Sequence, residues 1–145
     1  MHRIGFLVAS LCIVAGCGTD AEGVAECRAF ERVRCQAAAA CGYPNVAECE
    51  RFARDQCLHG VALASISATE LDACTGDVGR AGRCAAEQGP ETLATGCSEP
   101  VATGTATSTA CDVVLSPELA SSCAVLAPAG TPPPAPTAPA GDAGS

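Results

Sequence analysis

Two stretches of the chain share one pattern of apolar and polar positions. Residues 24–35 and 46–57, which lie 22 positions apart, both follow V-A-E-C-x-x-F-x-R-x-x-C. At 100° per residue, the inward positions of the second copy fall within about 140° of one another, as expected of a buried helix face. The pattern therefore predicts two amphipathic helices in which Phe30 and Phe52 occupy equivalent core positions.

A turn is predicted between the two repeats. Gly42 admits a positive φ angle and Pro44 cannot continue a helix, so the short link makes the helices antiparallel neighbours. Cysteines at equal distances from Gly42 in the sequence should then face each other. The pairs predicted on this basis are Cys27–Cys57 and Cys35–Cys49.

Capping residues mark the expected helix boundaries. Asn45 with Glu48 suits the start of the second helix, and Gly60 suits its end. Ser67 with Glu70 forms a capping box that introduces a further helix. Three glycines in that helix predict either a break or close packing against a neighbour, namely Gly76, Gly79 and Gly82.

The downstream cysteines predict small loops. Residues 84–97 and 111–123 share one pattern: each begins with Cys, has Pro-Glu after five further residues, and ends with a second Cys. Each copy should close its own loop, with Pro-Glu favouring a short helix start and Ser116 serving as an N-cap. The remaining two cysteines then pair by elimination, in one of many possible connectivities. The predicted pairs are Cys84–Cys97, Cys111–Cys123 and Cys41–Cys74.

Two segments have low complexity. Residues 101–110 place Thr at every second position from 103 to 109. This alternation could be a strand, but no large apolar side chains accompany it, which favours a flexible linker. Residues 128–145 hold six of the ten prolines and a single charged residue, Asp142. They are expected to form a disordered, partly polyproline II tail because they have little to bury.

Composition decides how such a chain is held together. Residues 17–145 contain only 19 Leu, Ile, Val and Phe, whereas the chain has 12 cysteines. A core this poor does not offset chain entropy, and disulfides are the usual remedy in small extracytoplasmic domains. The predicted fold class is mainly α and disulfide-rich: an antiparallel helical hairpin, then short helices and disulfide loops. A net charge of −8 without any Lys argues against a nucleic-acid partner.

The N-terminus has the pattern of a targeting segment. Residues 1–3 are a cationic start, and the apolar run of 12 residues that follows is too short to span a membrane. Residues 14–17, Val-Ala-Gly-Cys, resemble the lipobox of bacterial lipoproteins. The resemblance implies cleavage before Cys17 and acylation of that residue. In lipoproteins of this type, an Asp directly after the lipidated Cys signals retention in the inner membrane. This chain has Gly18 at that position, so the resemblance also implies delivery to the outer membrane.

The alternative is that Cys17 is an ordinary disulfide cysteine. Removal of Cys12 with the signal segment would then leave 11 cysteines, an odd number, whereas lipidation of Cys17 leaves ten. The predicted organisation is a signal peptide (1–16), a tether (17–23), a cysteine-rich helical domain (24–127) and the tail (128–145). Within the domain lie the hairpin (24–60), disulfide loops (61–100 and 111–127) and the linker (101–110).

The sequence contains no strong catalytic or metal-binding motif. Without any Cys-x-x-Cys, no zinc or redox motif is present, and we expect neither metal nor cofactor. His59 ends the second helix, where helix capping is favoured over catalysis. Within residues 17–145, Tyr43 is the only aromatic residue outside the repeats, and packing is favoured over partner contact. Three charge pairs predict a salt-bridged outer helix face: Glu48–Arg51, Glu50–Arg54 and Arg51–Asp55.

In pattern the whole chain resembles small cysteine-rich bacterial lipoproteins, which implies a location and an architecture without a reaction. We therefore expect no enzymatic activity, but a lipid-anchored binding or structural module of the cell envelope. It would face the periplasm or the cell surface, with an envelope protein or a glycan as its possible ligand. The alternative is a secreted-type inhibitor or toxin-like effector on the same disulfide scaffold.

Overall fold

The computed structural model describes residues 23–59 and 66–127. Its α-helices are α1 (Val24–Ala38), α2 (Val46–His59), α3 (Ala68–Gln88) and α4 (Ala110–Leu115), and its described 3₁₀ helices are Ala39–Cys41, Ala94–Gly96, Pro117–Leu119 and Ser121–Leu126. Within this part of the chain the protein is mostly helical and carries five disulfides, which confirms the predicted fold class. The targeting segment, Cys17, Gly60 and the tail at 128–145 lie outside the described residues.

The predicted hairpin forms. Disulfides join Cys27 to Cys57 and Cys35 to Cys49, with Cα–Cα distances of 5.7 and 5.6 Å, so α1 and α2 are antiparallel. Gly42 has φ +90°, the left-handed conformation that favours glycine. The cap predicted at the start of α2 is also present, because the Asn45 Oδ1 accepts a hydrogen bond from the Glu48 backbone N–H at 3.1 Å.

Helix α3 packs across α1 and does not break at its glycines. Ser67 and Glu70 form the predicted capping box at its start, and the helix continues for 21 residues. At Gly82 a Cβ atom would lie 2.4 Å from the Ala37 Cβ, so the two helices approach more closely than side chains would permit. Of the two outcomes predicted for the glycines, close packing is the one that occurs.

The two repeats have different environments. Phe30 is buried at 5% exposure, whereas Phe52 is 64% exposed, so the predicted core position of Phe52 is wrong. Helix α1 lies between α2 and the rest of the domain and contacts both, while α2 packs chiefly against α1. A helix at the edge of the fold has only a narrow buried face, which α2 forms with Ala53 and Cys57.

The pairing of the downstream cysteines corrects two predictions. Cys84 pairs with Cys97 as expected, but Cys41 pairs with Cys111 and Cys74 with Cys123. The predicted pairs Cys41–Cys74 and Cys111–Cys123 are therefore wrong. The reason is tertiary: α4 packs against α1 and α3, and the last 3₁₀ helix packs against α3. These contacts bring together cysteines that are far apart in sequence.

The predicted flexible linker at 101–110 is wrong as well. Val101 and Ala110 are fully buried, and backbone hydrogen bonds tie the segment to both of its neighbours. These bonds run from the Ala94 N–H to the Ser108 carbonyl, from the Val101 N–H to the Ala94 carbonyl and from the Gly104 N–H to the Leu119 carbonyl. Thr109 ends the segment by capping α4. Backbone pairing and capping fix the segment without an apolar side-chain pattern.

The core of the domain is small and built largely from valine and cystine. Its largest fully buried side chains are Val78, Val101, Val113, Val114, Cys27, Cys35, Cys74 and Cys123. Half of this set consists of disulfide cysteines, so the cross-links also fill volume. Disulfides contribute here both to packing and to the restriction of the unfolded chain.

Candidate binding surface on the helical hairpin

Disulfides fix the hairpin both internally and against the rest of the domain. Two of them join α1 to α2, and Cys41–Cys111 joins the turn of the hairpin to α4. All ten cysteines that the sequence assigned to disulfides are paired. A surface on this hairpin is therefore held in place before any partner arrives, which lowers the entropic cost of binding.

Tyr43 lies at the tip of the hairpin, between Gly42 and Pro44. Its side chain is 57% exposed, so the interpretation of Tyr43 as a packing residue is wrong. Its backbone N–H donates to the Ala38 carbonyl at 3.1 Å, which holds the turn against the end of α1. A rigidly held, exposed tyrosine offers an apolar ring and a polar hydroxyl to a partner.

A cleft of about 180 Å³ lies between the two helices of the hairpin. Its lining residues are Arg28, Glu31, Arg32, Glu50, Ala53 and Arg54. The repeat relates these positions in three pairs, 28 with 50, 31 with 53 and 32 with 54. Because the two helices are antiparallel, a twofold rotation places one repeat on the other. The cleft lies on the axis of this rotation, the local twofold axis of the hairpin. Arg32 and Arg54, the arginines shared by both repeats, flank it from opposite helices.

The charges around the cleft differ from those predicted. Glu31 pairs with Arg34, one turn along α1, at 2.6 Å. The three ion pairs predicted along α2, which include Glu50–Arg54, do not form between these described residues. Glu48 instead accepts a hydrogen bond from the Asn45 side chain at 2.8 Å. Exposed ion pairs on a helix contribute only a few tenths of a kcal/mol, about 0.3–0.5, so other partners readily replace them.

A polar cluster centred on Asp77 joins α3 to the C-terminal 3₁₀ helix. Asp77 is 7% exposed, and one of its carboxylate oxygens accepts a hydrogen bond from the Ser122 hydroxyl at 2.5 Å. The other oxygen accepts from the Arg80 guanidinium. Ser122 precedes Cys123, whose disulfide reaches α3 at Cys74. The cluster thus reinforces the attachment of the C-terminal 3₁₀ helix to α3, and no sequence motif marks it because 45 residues separate its ends.

Other predicted features are only partly described. Helix α2 ends at His59, but the side chain of His59 lies outside the described part of the chain, so its capping role stays a prediction. Within residues 23–59 and 66–127, no three His, Cys, Asp or Glu side chains form a group that could hold a metal ion. In the same part of the chain, each helix is too short or too polar to cross a membrane.

No protein-family model, curated protein or solved structure matches the chain. The cleft was missed at the level of sequence, although a signal for it was present. Both repeats carry Arg at the same position, and two repeats in an antiparallel hairpin bring such positions to opposite sides of the local twofold axis.

Proposed function

We propose that the chain is a lipid-anchored, non-enzymatic binding or structural module of the cell envelope, attached to the outer membrane through acylated Cys17. The observation that carries this proposal is the disulfide count. The ten cysteines from Cys27 to Cys123 form five pairs and leave none over for Cys17. Five disulfides also favour an oxidising compartment outside the cytoplasm.

The geometry of the hairpin supports a role in binding a partner that lies away from the membrane surface. The Cys27–Cys57 disulfide places the start of α1 beside the end of α2, so a tether before Gly23 joins this end of the hairpin. A helix of 15 residues such as α1 is about 22 Å long. Tyr43 therefore lies at the end of the hairpin opposite the tether. A rigid hairpin of this kind would present its tip to an envelope protein or a glycan.

The lipid anchor is tested by expressing the full chain with Cys17→Ser and fractionating the cells. We expect the variant to move from the membrane to the soluble extracytoplasmic fraction with all five disulfides intact. Cys12→Ser is the matched control, because it removes a cysteine from the apolar run and should leave the protein at the membrane.

Membrane retention of the Cys17→Ser variant, or loss of a disulfide in it, would contradict the anchor. Recovery of the unaltered protein from the medium, without an acyl mass, would instead favour the diffusible inhibitor or effector. An envelope hydrolase or redox assay that gave turnover abolished by His59→Ala would contradict the non-enzymatic role.

A further inference from the structure

We infer that the cleft on the local twofold axis of the hairpin binds a phosphoryl anion, held between Arg32 and Arg54. This inference deepens the proposed binding role, on which it rests, by naming a ligand class for this module. Both side chains are exposed, and both line the same cleft from opposite helices. The first support for this assignment is the way in which the backbone is fixed.

The cleft lies between two disulfides. In α1 its residues 28–32 are bracketed by Cys27 and Cys35, and in α2 its residues 50–54 are bracketed by Cys49 and Cys57. The two helices cannot separate or slide at this level without breaking a covalent bond. The backbone positions that carry the two guanidinium groups are therefore set in advance, which reduces the cost of ordering a site.

The second support is that the guanidinium groups of Arg32 and Arg54 are available to a ligand. Neither Arg32 nor Arg54 forms a hydrogen bond or an ion pair with any residue that the structure describes. The carboxylate of Glu31 is engaged by Arg34, which does not line the cleft. By contrast, both arginines between residues 66 and 127 are committed to carboxylates, Arg80 to Asp77 and Arg83 to Glu99.

The third support is the match between the donors and a tetrahedral oxyanion. A guanidinium group donates two parallel hydrogen bonds to a pair of oxygens on one anion. A carboxylate has only two oxygens, and a single guanidinium group can bind both of them. A phosphoryl group has enough oxygens to accept hydrogen bonds from guanidinium groups on two sides at once, as the opposed Arg32 and Arg54 require. The source of this group is either the headgroup of an anionic phospholipid or a soluble phosphate.

Glu50 gives the assignment an internal check. It lines the cleft four residues before Arg54 on the same helix, so its negative charge opposes an anion bound beside that guanidinium. Removal of its charge should therefore strengthen anion binding, whereas removal of either arginine should weaken it. A ligand recognised through its apolar surface would show neither effect.

The test uses the full chain with Cys17→Ser, purified with its disulfides intact, so that its result does not depend on the lipid anchor. Inorganic pyrophosphate is titrated at low salt and binding is followed by calorimetry. In parallel, the protein is sedimented with vesicles of phosphatidylglycerol and with vesicles of phosphatidylcholine. Binding to pyrophosphate indicates a soluble phosphate as the source, and sedimentation with phosphatidylglycerol alone indicates a lipid headgroup.

Four variants give the expected pattern. Arg32→Gln and Arg54→Gln should each weaken binding about tenfold, and Glu50→Gln should strengthen it a few-fold. Arg51→Gln is the matched control because it removes the same charge from an exposed site on α2 outside the cleft, and it should change the affinity less than about twofold. Absence of binding to both probes would overturn the inference, as would an equal loss of affinity in Arg51→Gln.

Discussion

Substitution of Gly82 by Ala should destabilise the protein, although alanine is the better helix former. A Cβ at this position would lie 2.4 Å from the Ala37 Cβ and 2.7 Å from the Ala37 Cα. Neither atom can rotate away, so α1 and α3 must move apart. Overpacking of this kind costs about 1–3 kcal/mol, and we take the upper end because the contact is with backbone. The gain in helix propensity of about 1 kcal/mol leaves a net loss of about 2 kcal/mol.

The matched control for this prediction is Gly76→Ala in the same helix. There the nearest atom to a new Cβ is the Arg80 Nη1 at 3.8 Å, an ordinary contact with a flexible side chain. This variant should gain about 1 kcal/mol from helix propensity alone. The same substitution at two positions six residues apart is thus expected to change the stability in opposite directions.

Thermal unfolding of the oxidised protein measures both effects. For a domain of about 100 residues, 1 kcal/mol shifts Tm by about 4–8 °C. Gly82→Ala should therefore lower Tm by about 8–16 °C, and Gly76→Ala should raise it by about 4–8 °C. An unchanged or raised Tm in Gly82→Ala would refute the close approach of α1 and α3 at Ala37. Disulfide mapping of both variants ensures that the comparison is made between molecules with the same cross-links.

Three further predictions concern single side chains. Phe30→Ala should cost about 3–5 kcal/mol in urea unfolding, whereas Phe52→Ala, at its exposed counterpart in the repeat, should cost less than about 1 kcal/mol. Ser122→Ala should cost about 1–3 kcal/mol because it removes one hydrogen bond from the buried Asp77 carboxylate, and the same unfolding assay measures this loss. Hydrogen bonds from its N-cap serine, side chain first and then backbone, hold the pKa of Glu70 below the ordinary value of 4.5. Their stabilising contribution is present above 4.5 and is lost as the pH falls through the lowered pKa, so Glu70→Gln should flatten the acid side of a plot of Tm against pH.

The sequence predicts well what depends on neighbouring residues. The hairpin, its turn at Gly42 and its two disulfides follow from a short repeat and a short link. The caps predicted at Asn45 and Ser67 likewise need only residues three positions apart. Each of these features is determined within a few turns of chain, so periodicity and spacing are sufficient to predict it.

Apart from the ion pairs predicted along α2, the main errors lie where tertiary packing decides. Cys41 pairs with Cys111, 70 residues away, because α4 packs at the tip of the hairpin. Phe52 has the same sequence environment as Phe30 but lies on the edge helix. The segment at 101–110 is held by backbone hydrogen bonds, which a pattern of side chains does not show. The cleft was visible as two matched arginines, but only the antiparallel arrangement brings them together.

The order in which the disulfides overlap along the chain determines what a protease could do to this protein. Every peptide bond between Cys27 and Cys123 is spanned by at least one cross-link, so a single cut anywhere in this interval leaves one covalent molecule. Between residues 57 and 74 that continuity depends on Cys41–Cys111 alone. A cut there would leave the two pieces joined while this disulfide is intact. Once Cys41–Cys111 is reduced, the hairpin would be released from the rest of the domain.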